Sequence, residues 1–167
     1  AAQPYGPAYL LVFSVDWSSD CRRDIPMVGR LAATLGFELR IFDRDGQHFG
    51  TAASPAPEDS PNADLMVQFL NHKDGGTFQS IPVVAFFTKD MEYLYHYIEY
   101  PAIYHKDRIV AGHIRQPRAG ETPEETRERI EREFGALQNG PFFRMWASAG
   151  IDEMISCLHR KLLLGRV

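Results

Sequence analysis

Residues 16–26 read DWSSDCRRDIP and stand directly before a run of regularly spaced apolar side chains. Ser18 is a preferred helix N-cap residue, and Asp20 in the following turn is favoured by the helix dipole. Gly36 is a natural helix terminator. Between them, apolar residues recur at the three- and four-residue steps of an amphipathic helix, at Ile25, Val28, Leu31, Ala32 and Leu35. The pattern predicts a helix that begins beside Ser18 and carries Cys21 in its first turn.

The segments on either side of this helix are predicted to be strands. Tyr9 to Val15 is a nearly continuous apolar stretch rich in β-formers, which is typical of a central strand covered on both faces. Phe37 to Phe42 alternates between the two faces of a second strand. Strand, helix and strand together predict a parallel β-α-β unit with a right-handed crossover.

Further along the chain, residues 44–62 are rich in Gly, Pro, Ser and Asp, which indicates a long inserted loop. Ala63 to Asn71 has helical spacing, and we expect this short helix to be ended by the sequence KDGG. Ile81 to Phe87 and Tyr93 to Tyr100 are separated by the turn TKD and predict an antiparallel hairpin. The predicted sheet is therefore mixed.

Two amphipathic helices are predicted after this hairpin. The sequence TPEE at residues 122–125 has the pattern of a capping box with proline at the first helical position, and it precedes a charged segment that runs to Leu137. A second helical pattern covers Phe142 to Leu163 and is interrupted by Gly150. We expect a single α/β domain, with a core over about residues 8–116 and a helical extension over about 117–167.

The composition excludes several classes of protein. The chain has 167 residues, 44% of them hydrophobic, and a net charge of -4 with no dense basic stripe, so nucleic acid is not an expected partner. The apolar run from Ala8 to Phe13 is far shorter than the roughly 20 residues that cross a bilayer. The opening AAQPYGPAY does not have the pattern of a signal peptide.

The cysteine and histidine content points to a protein without bound metal. Cys21 and Cys157 are the two cysteines, so no disulfide framework is expected, and no Cys or His grouping has zinc spacing. His96, His105 and His113 are too widely spaced for a metal site on one helix. We expect a soluble cytoplasmic protein with no metal and no cofactor.

Three local motifs resemble those of the thioredoxin-like superfamily. Trp17 directly precedes the four-residue segment SSDC at 18–21, and Pro26 lies five residues beyond Cys21, where thioredoxins have a proline that kinks the first helix. Ile81-Pro82 matches the cis-proline that faces the redox site. The stretch DWSSDCRRDIP is especially similar to small bacterial proteins of the thioredoxin-9 type. The resemblance implies a thioredoxin-like fold, a site at Ser18 and Cys21, and substrate contacts at Trp17, Ile81 and Pro82.

Two positions depart from the family pattern. A thioredoxin attacks a disulfide with the thiolate at the first site position, and the second thiol then resolves the mixed disulfide. Ser18 occupies the attacking position, and a hydroxyl cannot exchange with a disulfide, so this chain cannot run a dithiol cycle. Val12 stands where the resemblance implies a buried aspartate, so a proton acceptor is also missing.

Three functions remain open on the sequence. The first is a relative of the thiol-disulfide oxidoreductases, with Cys21 as a single thiol or inactive, acting on thiols or disulfides of proteins or peptides. The second is a non-catalytic module that binds peptides in the groove beside Pro82. The third is a one-cysteine peroxidase, because peroxiredoxins place Thr or Ser three residues before their reactive cysteine.

For Cys21 the helix N-terminus and the neighbouring Arg22 and Arg23 favour a thiolate, whereas Asp20 opposes it. The cysteine could equally be a small packed hydrophobe.

Overall fold

The structure is a computed structural model that describes residues 5–45, 60–102 and 110–164. The chain divides into two compact units, one formed by Ala1–Glu99 with Asp152–Val167 and the other by Tyr100–Ile151. The single domain expected from the sequence stays a prediction.

In chain order the elements are β1 (Pro7–Ser14), α1 (Ser19–Leu35), β2 (Glu38–Asp43), α2 (Ala63–Met66) continued by a 3₁₀ turn (Val67–Phe69), β3 (Asn71–Lys73), β4 (Gly76–Phe78), β5 (Val83–Thr88), β6 (Tyr93–Ile98), a π-helical turn (Val110–Ile114), α3 (Pro123–Asn139) and α4 (Pro141–Leu164). The predicted helix after Ser18 and the strands on both sides of it are confirmed.

The first unit is built on a four-stranded sheet in the order β2-β1-β5-β6. Strand β1 runs parallel to β2, with Val12 opposite Ile41, and antiparallel to β5, with Val12 opposite Val84. Strands β5 and β6 form the predicted antiparallel hairpin. The prediction of an α/β fold with a mixed sheet is confirmed, and β1 occupies the central position expected for its apolar run.

Strand β1 is buried on both faces because its alternate side chains enter two different apolar clusters. Leu10 and Val12 belong to one cluster, which also contains Val28 of α1 and Met154 of α4. On the other face, Phe13 belongs to a second cluster, whose further buried members are Val15, Cys21, Met66, Phe69, Ile81, Val83 and Ala85. This two-sided burial explains why the sequence of β1 is apolar without interruption.

A second, two-stranded sheet corrects one sequence prediction. The segment KDGG does not end a helix, because the helical residues stop at Phe69 and β3 pairs with β4 in an antiparallel hairpin. Asp74 (φ 51°) and Gly75 (φ 74°) form its two-residue loop. Positive φ at both positions is what a tight hairpin turn requires, and Asp-Gly supplies it. The helical spacing of Ala63 to Asn71 continues past Phe69, so it did not indicate that β3 begins at Asn71.

The ends of the predicted insertion are joined by hydrogen bonds, although residues 46–59 lie outside the described part. Ser60 Oγ donates to the carbonyl oxygen of Arg44 at 2.6 Å. Asn62 Nδ2 donates to the carbonyl oxygen of Asp43, also at 2.6 Å. The chain thus leaves the end of β2 and returns to the same place.

The second unit contains the predicted capping box. Thr122 Oγ1 accepts a hydrogen bond from the Glu125 amide at 3.2 Å, and the Glu125 carboxylate accepts one from the Thr122 amide at 2.8 Å. Buried Arg129 donates to the carbonyl oxygens of Ile114 and Gln116 and to Glu121. The interruption expected at Gly150 is wrong, because α4 continues through this residue. Across the described ranges, none of the helices combines the length and apolar character needed to span a membrane.

One glycine inside α1 and one directly after it give a matched test of the helix end. Gly36 has φ 73° and follows the last turn, whereas Gly29 lies inside the helix with nothing within 4 Å of an added Cβ. We expect Gly36→Ala to lower the free energy of unfolding by about 1 kcal/mol, because alanine is strained in the left-handed region. Gly29→Ala should raise it by about 0.5–1 kcal/mol. Urea unfolding of both variants measures the difference, and equal effects would contradict the assigned helix end.

Candidate functional site

Ser18 and Cys21 meet at the first turn of α1. Ser18 has an extended backbone (φ -75°, ψ 126°), and its Oγ accepts a hydrogen bond from the Cys21 amide at 3.4 Å. The predicted N-cap is confirmed. Only 8% of Ser18 and 1% of Cys21 are exposed, so the hydroxyl and the thiol both lie below the surface.

The sulfur of Cys21 is surrounded by groups with opposing effects on its ionisation. Burial raises the pKa of the Cys21 thiol, and this effect outweighs the Val15 backbone N–H and the Ser14 and Ser18 hydroxyls, which lower the pKa. The Asp20 carboxylate raises the pKa further. The thiol is therefore protonated at neutral pH, and of the two alternatives left open by the sequence the packed thiol is favoured over the thiolate.

The two arginines that follow Cys21 are bound to other groups. Arg22 Nη2 donates to the carbonyl oxygen of Trp17 at 3.2 Å. Arg23 forms an ion pair with Asp24, with Nη2 at 2.7 Å from Oδ2, and it lies 3.4 Å from Asp20. Because both guanidinium groups have these partners, their positive charge does little to stabilise a Cys21 thiolate.

A buried charged cluster lies behind the site, and the sequence did not predict it. Asp24 is completely buried, and Asp20 is 4% exposed. Tyr97 of β6 is also buried, and burial together with the charge of Asp24 raises the pKa of its hydroxyl. Val12 stands where the resemblance implies a buried acid on β1, but α1 buries two other carboxylates, Asp20 and Asp24. Helical spacing could have suggested this, since Asp24 shares a face with Val28.

The Ile81-Pro82 pair directly precedes β5. The Ile81-Pro82 peptide bond is cis, as predicted. Ile81 is 7% exposed and packs in the apolar cluster that contains Cys21. The carbonyl oxygen of Pro82 accepts a hydrogen bond from the Glu99 amide at 2.8 Å, and the carbonyl oxygen of Glu99 accepts one from Arg23 at 3.1 Å. The structure thus links the residue pair before β5 to the start of α1.

Trp17 is held by two residues that the sequence assigned only to a loop. Its Nε1 donates to Asp45 Oδ2 at 2.8 Å, while Arg44 Nε donates to Asp45 Oδ1 at 2.6 Å. The Arg44 guanidinium lies 5.7 Å from the centroid of the Trp17 ring and donates to the carbonyl oxygen of Gln79. Their place in the sequence could have suggested that they lie near the site. Both residues follow β2, so they lie at the end of the sheet where the parallel strand β1 also ends.

A cleft of about 630 Å³ opens beside Cys21. It lies at the carboxyl ends of β1 and β2 and at the first turns of α1, which is where open α/β sheets commonly bind ligands. The described residues that line it are Ser14, Val15, Asp16, Trp17, Cys21, Arg22, Ile25, Pro26, Ile41, Phe42, Asp43 and Asp45. Trp17 and Cys21 therefore share one cavity.

Potential metal ligands are not clustered in the described ranges. No group of three or more His, Cys, Asp or Glu side chains there has an arrangement that could hold a metal ion. Of the three histidines considered on the sequence, His105 lies outside these ranges.

Comparison with protein-family models, with curated proteins and with solved structures gives no match to this chain. The resemblance to thioredoxins therefore rests on the sequence motifs.

The reactivity of Cys21 tests whether its thiol is buried and protonated. Because the thiol is buried and its pKa is raised, we expect iodoacetamide to modify it more slowly at pH 8 than the same cysteine in the urea-denatured chain. The rate should still increase above pH 9, since more thiolate forms as the pH approaches a raised pKa. Peptide mapping separates Cys21 from Cys157. A native rate equal to or above the denatured rate would contradict the raised pKa.

Replacing Arg23 tests the buried ion pair that it forms with Asp24. Arg23→Met should lower the free energy of unfolding by about 3–5 kcal/mol, because it leaves Asp24 charged and buried. Arg40→Met is the control, since Arg40 pairs with Glu38 on the surface with 71% of its side chain exposed; that loss should be about 0–1 kcal/mol. Urea denaturation measures both variants, and similar losses would show that Arg23 does not stabilise the core.

Proposed function

We propose that this chain is a thioredoxin-like protein related to the thiol-disulfide oxidoreductases, with a serine at the position of the attacking thiol. One observation carries the proposal. Ser18 Oγ lies at the N-terminus of α1 within 3.4 Å of the Cys21 amide nitrogen. A sulfur at that position would be close to the same backbone donor and to the positive end of the helix dipole, both of which favour a thiolate.

The arrangement of the elements supports the same family. Strand β1, helix α1 and parallel strand β2 are followed by the antiparallel pair β5 and β6, and the cis Ile81-Pro82 pair immediately precedes β5. Pro26 lies inside α1, as the resemblance implies. Ile81 and Cys21 pack in one cluster, so the two motifs come together from positions far apart in the sequence.

The chemistry of the pair explains what the chain lacks. In a dithiol cycle, the first thiolate attacks the substrate disulfide, forms a mixed disulfide and expels one substrate thiolate. The second thiolate then attacks the mixed disulfide, closes an internal disulfide and releases the other substrate thiolate. Cys21 has the second position, and its buried, protonated thiol suits a group that reacts only after the first step. Ser18 cannot perform that first step.

The alternative is a binding module for proteins or peptides. The burial and the raised pKa of Cys21 favour it, since a packed, protonated thiol reacts slowly. The cleft beside this thiol, with Trp17 39% exposed at its edge, would then bind a partner without any covalent step.

The Ser18→Cys variant tests which of the two functions applies. Sulfur replaces oxygen with little change in shape, and residues three apart on a helix are neighbours, so a disulfide to Cys21 should form. We expect this variant to reduce insulin with dithiothreitol as reductant at a rate at least about tenfold above the unaltered chain, because only the thiolate can exchange. Turnover is expected to be slower than in ordinary thioredoxins, since Val12 replaces the buried acid.

Ser19→Cys is the matched control. It also adds one thiol to the first turn, but residues two apart on a helix do not face each other, so no disulfide to Cys21 and no gain in insulin reduction are expected. A Ser18→Cys protein that forms the disulfide but shows no exchange would favour the binding module. Equal rates for the two variants would contradict the proposed site.

A further inference from the structure

The cleft beside Cys21 has an uneven charge. Three aspartates, Asp16, Asp43 and Asp45, line it, whereas Arg22 supplies the one positive charge among its described lining residues. Arg22 is hydrogen-bonded to the carbonyl oxygen of Trp17. The cleft is therefore negative overall, although the sequence suggested an activating positive charge near Cys21.

The three carboxylates have different surroundings. Asp45 is buried and accepts hydrogen bonds from Trp17 and Arg44, so its charge is largely balanced within the protein. Asp43 is exposed, and its Oδ1 accepts a hydrogen bond from the Asp45 amide at 3.0 Å. Asp16 is also exposed. Asp16 and Asp43 thus present negative charge at the opening, where a ligand would meet it.

The other walls of the cleft are apolar. Ile25, Pro26 and Phe42 line it, together with two apolar side chains that stay unusually exposed, Ile41 at 52% and Trp17 at 39%. A ligand with a long hydrocarbon stem and a cationic end fits this cleft. The stem can pack on the apolar walls, while the positive charge stays near water beside the exposed aspartates. A carboxylate or phosphate ligand would instead be repelled by the exposed aspartates.

We propose that this cleft binds a lysine or arginine side chain of an extended polypeptide partner. The choice of a polypeptide rests on the function proposed above, while the choice of a basic side chain rests on the charge and the apolar walls of the cleft. The lining does not include Ser18 or Pro82 among the described residues. The cleft thus adds a specificity contact next to the hydroxyl and thiol pair.

The indole N–H of Trp17 provides a direct measurement. It lies at the cleft and donates to Asp45, and the sequence contains two tryptophans, so Trp146→Phe identifies its signal in a ¹⁵N spectrum. The full chain is titrated with two ten-residue peptides that differ only in a central pair of lysines or glutamates. We expect a saturable shift of the Trp17 signal with the lysine peptide alone, weakening as salt is added.

Charge variants test the same contact. Asp16→Asn combined with Asp43→Asn should weaken binding of the lysine peptide about fivefold, from the loss of two exposed ion pairs. Asp90→Asn is the control, because Asp90 is also an exposed aspartate and lies in the turn between β5 and β6. This variant should bind the lysine peptide with the same affinity as the unaltered chain. Native-like spectra of the variants show that they fold.

Several results would overturn the proposal. These are equal shifts with the lysine and glutamate peptides, no shift with either, or an affinity that does not change in the double aspartate variant. An equal shift with n-butylammonium chloride alone would place the ligand among small amines and not polypeptides. If the Ser18→Cys protein binds the lysine peptide but has no exchange activity, the proposed binding cleft is supported and the redox function is refuted. Failure of the cleft proposal is therefore distinguishable from failure of the proposed function.

Discussion

A single guanidinium group, that of Arg23, connects the parts of the molecule on which the site depends. It pairs with Asp24, which is fully buried, and donates to the carbonyl oxygen of Glu99 at the end of β6. The amide of Glu99 in turn donates to the carbonyl oxygen of Pro82. Buried charges are tolerated only when they are paired and hydrogen-bonded, so this network fixes the first turns of α1 against the sheet and against the segment that enters β5.

The same burial decides the character of Cys21. A helix N-terminus and three neighbouring donors would stabilise a thiolate on the surface. Here the sulfur is enclosed within an apolar cluster, and the loss of solvation has the larger effect on its pKa. Ser18 and Cys21 therefore share the first turn of α1, while burial keeps the thiol of Cys21 protonated.

The sequence predicted those features that depend on neighbouring residues. Helix α1 with its cap at Ser18, the buried strand β1 and the capping box of α3 all follow from local spacing and side-chain chemistry. The helix end predicted at Asp74-Gly75 is wrong, because helix ends and hairpin turns use the same residue types. The sequence could not predict the hydrogen bond from Trp17 to Asp45, since this bond joins residues 28 positions apart and exists only after β2 has paired with β1.

The pair of hydrogen bonds that closes the chain between β2 and α2 also affects how this protein can vary. Ser60 bonds to Arg44 and Asn62 to Asp43, so the two ends of residues 46–59 are fixed by contacts outside that segment. Doubling the length of a closed loop costs only about 0.6 kcal/mol. We therefore expect that the segment between these two ends can be shortened or lengthened without a change in the pairing of β1 with β2. Changes of length between these two ends would therefore leave Trp17 bonded to Asp45 and Asp45 bonded to Arg44.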